Sequence, residues 1–130
     1  MIEKKIHIDK YDWTIILLLE CDCSNNKSII DYMEDINCPD YIIYEALENL
    51  ETCNKNIGLT YSNKKIQTSI IVVSKASANK EVLNTVTHEF YHLVTHISDA
   101  YNIIDDEEKA TLMGNLCMVV YNIIIDIFIK

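Results

Sequence analysis

A stripe of apolar side chains in the second half of the chain limits most strongly how the chain can fold. Its members recur at spacings of four, four, three and four, and they are Val82, Val86, Phe90, Leu93 and Ile97. Residues at these spacings lie on one face of an α-helix. The stripe therefore predicts an amphipathic helix that begins near Asn79 and buries one face against other elements of the chain.

Short apolar runs elsewhere predict strands, and segments at helical spacing predict further helices. Residues 70–73 are all β-branched, which favours a strand that is covered on at least one face. The predicted strands are residues 6–8, 13–20, 57–62 and 66–74, and the predicted helices are residues 28–36, 40–52, 79 onwards and 105–128. The order β-β-α-α-β-β-α-α is typical of an α+β fold with a small, mostly antiparallel sheet packed against helices.

The length of the chain is that of one domain. It has 130 residues, of which 49% are hydrophobic, and it contains only two glycines and one proline. This composition supplies the apolar material for a core, and no stretch resembles a flexible linker. We therefore expect residues 1–130 to form a single domain.

The long predicted helix carries the motif HExxH at residues 88–92. On a helix, His88 and His92 lie one turn apart on the same face, so both imidazoles can bind one metal ion. Glu89 can reach a water molecule on that ion without binding the ion itself. Zinc lowers the pKa of bound water, and a nearby carboxylate can then accept the proton. The motif predicts a zinc site with Glu89 as catalytic base; the alternative is a helix with two exposed histidines and a solvated glutamate.

A catalytic zinc site needs a third protein ligand, and the candidates are His96, Glu107 and Glu108. His96 lies two helical turns, about 11 Å, beyond His88. The three imidazoles therefore cannot converge on one ion. We expect His96 to lie beside the site or on the surface.

A carboxylate from the following helix is geometrically easier, because a short loop makes neighbouring helices antiparallel. One stripe of that helix contains small residues that permit close approach, and it consists of Glu107, Ala110, Gly114, Cys117 and Tyr121. Glu108 instead fits a capping arrangement with Asp105. Both glutamates also suit a first turn, where the helix dipole favours acidic residues. The spacing favours Glu107 as the third ligand and leaves Glu108 as the alternative.

Several segments of the chain resemble small, uncharacterised HExxH proteins of Bacteroides-group gut bacteria, phages and mobile elements. The similar segments are residues 56–62, 69–74, 84–89 and 107–114. More distantly, the layout is similar to that of minimal gluzincin metallopeptidases, in which a glutamate on the next helix completes the zinc site. This resemblance implies a metallopeptidase-like site with Glu107 as the third ligand. It also implies that a peptide substrate lies along an edge strand, for which residues 66–74 are the candidate; the alternative is that these residues form a strand inside the core sheet.

The charge of the chain limits its partners. The net charge is −9, from 20 acidic and 11 basic residues, so nucleic acid is not expected to bind. Residues 1–10 do not resemble a signal peptide, and residues 117–129 form an apolar run shorter than a membrane span. We expect a cytoplasmic protein that does not bind membranes. The run is apolar nearly all round, which predicts a homo-oligomer or a protein partner through the C-terminal helix.

The cysteines predict reduced thiols rather than a disulfide scaffold. They are odd in number and accompany no export signal, and they are Cys21, Cys23, Cys38, Cys53 and Cys117. Cys21 and Cys23 would point to the same side of a strand. We expect them to pack in the core, because no further metal ligands are indicated nearby.

These observations predict a zinc-dependent hydrolase, expected to be a peptidase, that uses a Zn²⁺-activated water with Glu89 as general base. His88, His92 and Glu107 are the predicted zinc ligands. The alternative is a catalytically silent zinc-binding or interaction module that keeps the HExxH helix, such as an accessory protein of a phage or mobile element. Zinc content and peptide cleavage would separate the two.

Overall fold

The computed structural model describes residues 1–129, and its order of elements confirms the predicted one. The strands are β1 (Ile2–Ile8), β2 (Trp13–Cys21), β3 (Gly58–Asn63) and β4 (Thr68–Ser74). The helices are α1 (Asn26–Asp35), α2 (Asp40–Leu50), α3 (Asn79–Tyr101) and α4 (Asp106–Phe128). Short 3-10 turns, Asp9–Tyr11 and Cys23–Asn25, flank β2.

The strands form one sheet in the order β1-β2-β4-β3. The pairs β1–β2 and β3–β4 are antiparallel, whereas β2 and β4 are parallel. The predicted α+β class with a mostly antiparallel sheet is therefore confirmed. The expectation that residues 66–74 form an edge strand is wrong, because β4 pairs on both sides. Its apolar residues need cover on both faces, which an interior position supplies, and β3 is the edge strand instead.

Helices cover both faces of the sheet. Alternate residues of β2 point to opposite faces, so one strand contributes to two cores. Trp13, Ile15, Leu17 and Leu19 pack with α3 and α4, whereas Ile16 and Leu18 pack with α1 and α2. Because both of its faces are buried, β2 has a continuous apolar run and not an alternation of apolar and polar residues.

The orientation of α4 differs from the predicted one. Its large apolar residues Leu112, Leu116, Val120, Ile124 and Ile127 are buried. The predicted contact stripe of Glu107, Ala110, Gly114, Cys117 and Tyr121 is exposed instead. Burying large aliphatic side chains removes far more apolar surface from water than burying small ones, and this sets the rotation of the helix.

Candidate metal centre

α3 carries the HExxH motif beside β3, at the free edge of the sheet. Thr60 on β3 bonds to Glu89 on α3, and Ser62 on β3 bonds to His96 one turn past the motif. These residues and Gly58 alternate along β3, so they share the face that meets α3. His88 and His92 are not covered by the sheet, and both side chains lie on the solvent-exposed side of α3.

His88 and His92 face each other across one turn of α3. Their Nε2 atoms are 3.2 Å apart, and both side chains are exposed to solvent. Two nitrogens that bind one tetrahedral zinc ion at about 2.0–2.1 Å lie roughly 3.3 Å from each other. The two imidazoles therefore have the separation that a shared zinc ion requires.

Glu89 is buried, with a relative exposure of 5%, so it is not the solvated glutamate of the alternative interpretation. Thr60 Oγ1 donates to Glu89 Oε1 at 2.8 Å and also lies 3.2 Å from the Glu89 main-chain oxygen. On the other side, an added Cβ at Gly58 would lie only 2.6 Å from Glu89 Oε2. Thr60 and Gly58 together hold the carboxylate in one place.

His96 ends a partly buried chain of hydrogen bonds. Trp13 Nε1 donates to Ser69 Oγ at 2.8 Å, Ser69 Oγ lies 2.6 Å from Ser62 Oγ, and Ser62 Oγ lies 2.6 Å from His96 Nδ1. Burial, together with the charges of His92 and Lys64, lowers the pKa of His96. This half-buried imidazole is held by Ser62 on β3, in agreement with the expectation that it lies beside the site.

The structure does not bring Glu107 to the histidine pair. Glu107 lies on the outward face of α4, where its main-chain N–H donates to the capping carboxylate of Asp105. α4 lies next to β1, whereas His88 lines a cleft with Gly58 at the start of β3. These opposite edges of a four-stranded sheet are about 14 Å apart.

Glu108 does not reach the pair either, and it does not take part in the predicted cap. Its Oε1 accepts a hydrogen bond of 2.8 Å from Tyr11 and lies 3.5 Å from Lys10 Nζ. The hydrogen bond from Tyr11 contributes most to lowering the pKa of Glu108. Within residues 1–129, no group of three His, Cys, Asp or Glu side chains is arranged to hold a metal ion. The donor pair fits zinc, but this part of the chain supplies only two ligands.

A cleft of about 390 Å³ opens next to His88 and Glu89. Its walls are the end of α2 with the following turn, the segment before β3, and the first half of α3. The lining residues are Asn49, Thr52, Asn54, Asn56, Ile57, Gly58, Asn84, Thr85, His88 and Glu89. The volume lies in the range of small-ligand sites.

Cys23 and Cys53 form a disulfide, which corrects the expectation that all five thiols are reduced. Their Cα atoms are 5.3 Å apart, and the bond joins residues 30 positions apart in the sequence. The fold brings together the end of β2 and the end of α2, which sequence spacing does not reveal. Cys21 stays a free, buried thiol, and burial raises its pKa to about 11.

Sequence reasoning missed the residues that hold the motif in place: Gly58, Thr60, Ser62 and the asparagines of the cleft. The alternation of small or polar residues at positions 58, 60 and 62 was the available signal, because a strand face of this kind suits contact with a polar helix flank. A comparison with known protein families, curated proteins and solved structures finds no match for the chain. The site is therefore interpreted from its own geometry.

Proposed function

We propose that the chain is a zinc-dependent hydrolase that acts on peptides, with His88 and His92 as zinc ligands and Glu89 as general base. The observation that carries the proposal is the Nε2–Nε2 distance of 3.2 Å next to a buried glutamate. We also propose a cytoplasmic location, in which the Cys23–Cys53 disulfide would be an exception to the usual reduced state of thiols.

The buried position of Glu89 in the cleft that His88 also lines supports its proposed role as general base. A zinc ion held by the two imidazoles would polarise a substrate carbonyl and acidify a water molecule. Glu89 lines the same cleft as His88, and its carboxylate would accept the proton of the attacking water and return it to the leaving nitrogen. The hydrogen bond from Thr60 to Oε1 keeps the carboxylate in one orientation, which reduces the reorganisation needed during proton transfer.

The edge strand β3 supports a peptide as substrate. Its outer side has no partner strand among residues 1–129, so an extended peptide can add to it through main-chain hydrogen bonds. β3 also holds Glu89 through Thr60, which would bring a peptide on that edge close to the catalytic base. This assignment replaces the earlier expectation for residues 66–74.

A catalytically silent zinc-binding or interaction module is the second candidate. The lack of a third ligand among residues 1–129 favours it, because catalytic zinc sites have three protein ligands and a water molecule. In such a module, a partner protein would supply the remaining ligand. Its zinc affinity in isolation would be weaker than that of a three-ligand site.

Replacing Glu89 by Gln separates the two candidates. We expect Glu89→Gln to keep the metal content of the wild type and to lose cleavage of a mixed peptide library, because the amide cannot accept the proton. Glu107→Gln is the matched control and is expected to change neither property, since Glu107 lies across the molecule. Cleavage that survives in Glu89→Gln would contradict the role of Glu89 as general base, and a zinc-loaded wild type that cleaves nothing would favour the silent module.

A further inference from the structure

The cleft beside the motif is lined by uncharged polar groups, although 24% of the residues in the chain are charged. Apart from Glu89 and the imidazole of His88, the side chains in its walls carry no ionisable group. Four asparagines line it, from three separate segments of the chain. The fold has therefore gathered carboxamides at one place next to the catalytic residues.

Three of these carboxamides are free to bind a ligand. Asn56 is occupied, since its Nδ2 donates to Ser77 Oγ at 3.0 Å and its Oδ1 accepts from Ser77 N at 2.9 Å. Asn49, Asn54 and Asn84, by contrast, have no side-chain hydrogen bond within residues 1–129, and all three are exposed. Asn84 lies one helical turn before His88 on the same face of α3.

The chemistry of this lining selects for neutral, hydrogen-bonding groups. Each carboxamide offers two donors and an acceptor oxygen, and so complements another amide or a hydroxyl. Apart from the proposed zinc site at His88, an anionic group would meet no lysine or arginine in the lining and would lie beside the Glu89 carboxylate. An apolar group would remove water from the carboxamides without replacing its hydrogen bonds.

We propose that the cleft is a specificity subsite for a substrate side chain of the carboxamide or hydroxyl class, on the residue next to the bond that is cut. Asn49, Asn54 and Asn84 are the specificity-determining residues. The position of this subsite relative to the cut bond rests on the proposed function. The binding of the side chain itself requires neither zinc nor turnover.

Nuclear magnetic resonance of the side-chain amides tests the subsite directly. The probes are N-acetyl-glutamine methylamide and its leucine and glutamate counterparts, titrated into ¹⁵N-labelled protein with and without zinc. We expect the glutamine probe to shift the side-chain NH₂ signals of Asn49, Asn54 and Asn84, and to bind about tenfold more tightly than either of the others, as a difference of about one to two hydrogen bonds implies.

Substitutions complete the test. Asn84→Leu is expected to remove the preference for glutamine, whereas Asn122→Leu, on the exposed face of α4, is expected to keep it. Unshifted amide signals, equal binding of the three probes or a preference that survives in Asn84→Leu would overturn the subsite. Because the probes bind without being hydrolysed, a failure of zinc binding or of hydrolysis would not change this result. A failure of the subsite would likewise leave the proposed zinc site and hydrolysis untouched.

Discussion

Gly58 lies against the Glu89 carboxylate, and this contact connects the edge strand to the residue that we propose as general base. The nearest Glu89 atoms lie 2.6–2.9 Å from the place where a Cβ on residue 58 would be. A Cβ does not tolerate such distances, so the carboxylate would have to move. The other glycine, Gly114, has no atom within 4 Å of its virtual Cβ. Substitution by alanine is therefore expected to have opposite effects on stability at the two glycines.

Gly58→Ala should displace Glu89 from its hydrogen bond with Thr60. We expect a stability loss of about 1–3 kcal/mol from overpacking and a fall in hydrolytic activity on the order of 100-fold, with zinc binding kept. Gly114→Ala is expected to stabilise the protein by about 0.5–1 kcal/mol, because alanine is the better helix former. Urea denaturation and peptide cleavage measure both variants. An active Gly58→Ala variant of wild-type stability would contradict the role of this contact.

At the residue scale, the sequence predicted the histidine pair but not the surroundings of Glu89. His88 and His92 belong to one helix, where spacing alone fixes their relation. Thr60 and Gly58 contact Glu89 only once β3 has packed on α3. About 30 residues separate them from Glu89 in the sequence. Glu107 was predicted as a ligand from the small residues that share its stripe. The large aliphatic side chains of α4 determine the rotation instead.

At the scale of elements, the segment between α2 and β3 forms one wall of the cleft. Residues 52–57 are exposed or half-buried and belong to no helix or strand. One end of the segment is held by the Cys23–Cys53 disulfide. The other end is held by hydrogen bonds from Asn56 N to Lys75 O at 3.2 Å and from Ile57 N to Ser74 Oγ at 2.9 Å. The disulfide is thus the attachment nearest to Asn54.

Reducing this disulfide should destabilise the protein and make residues 52–57 more flexible. We expect the Cys23→Ser, Cys53→Ser double variant to lose roughly 2–4 kcal/mol of stability, because its unfolded chain is no longer cross-linked. Residues 52–57 should also become more sensitive to limited proteolysis. Cys117→Ser is the control, since Cys117 is an exposed, free thiol. If reductant left the denaturation midpoint of the wild type unchanged, the disulfide would not form in solution.

The elements themselves could be predicted well, because α3 has a clear helical period and the strands β2 and β4 are short apolar runs bounded by polar residues. The predicted bounds of residues 13–20 and 105–128 differ by one residue from those of β2 and α4. The edge strand was assigned wrongly although β4 has a continuous apolar run at residues 70–73 and β3 has only Leu59 and Tyr61, because the assignment came from the gluzincin resemblance and not from this contrast. The disulfide could not be predicted, because it joins the ends of two elements that are separate in the sequence.

At the scale of the whole molecule, α4 leaves an apolar surface uncovered. Met118, Val119, Tyr121 and Ile129 have relative exposures of 70%, 52%, 61% and 77%. By length and composition α4 could also cross a membrane, although core helices of folded domains meet the same criteria. Here its buried stripe packs on the sheet. The prediction of a homo-oligomer or protein partner through this helix therefore applies to its outer face.

Two tyrosines with similar exposure test this surface. Tyr121 on α4 and Tyr44 on α2 have relative exposures of 61% and 68%. We expect Tyr121→Lys to weaken self-association at least tenfold, because the ammonium group would have to be desolvated in the interface. Tyr44→Lys should leave self-association unchanged. Sedimentation velocity measures both, and a wild type that stays monomeric at all concentrations would contradict the homo-oligomer.

Calorimetric titration of zinc into the metal-free protein shows whether His88 and His92 form a metal site. We expect one zinc ion per wild-type chain and the loss of this binding in His88→Ala and in His92→Ala. His7→Ala should bind like the wild type, since His7 lies on β1 at the opposite edge of the sheet. A wild type that binds no zinc, or zinc binding that survives removal of both motif histidines, would contradict the proposed zinc site.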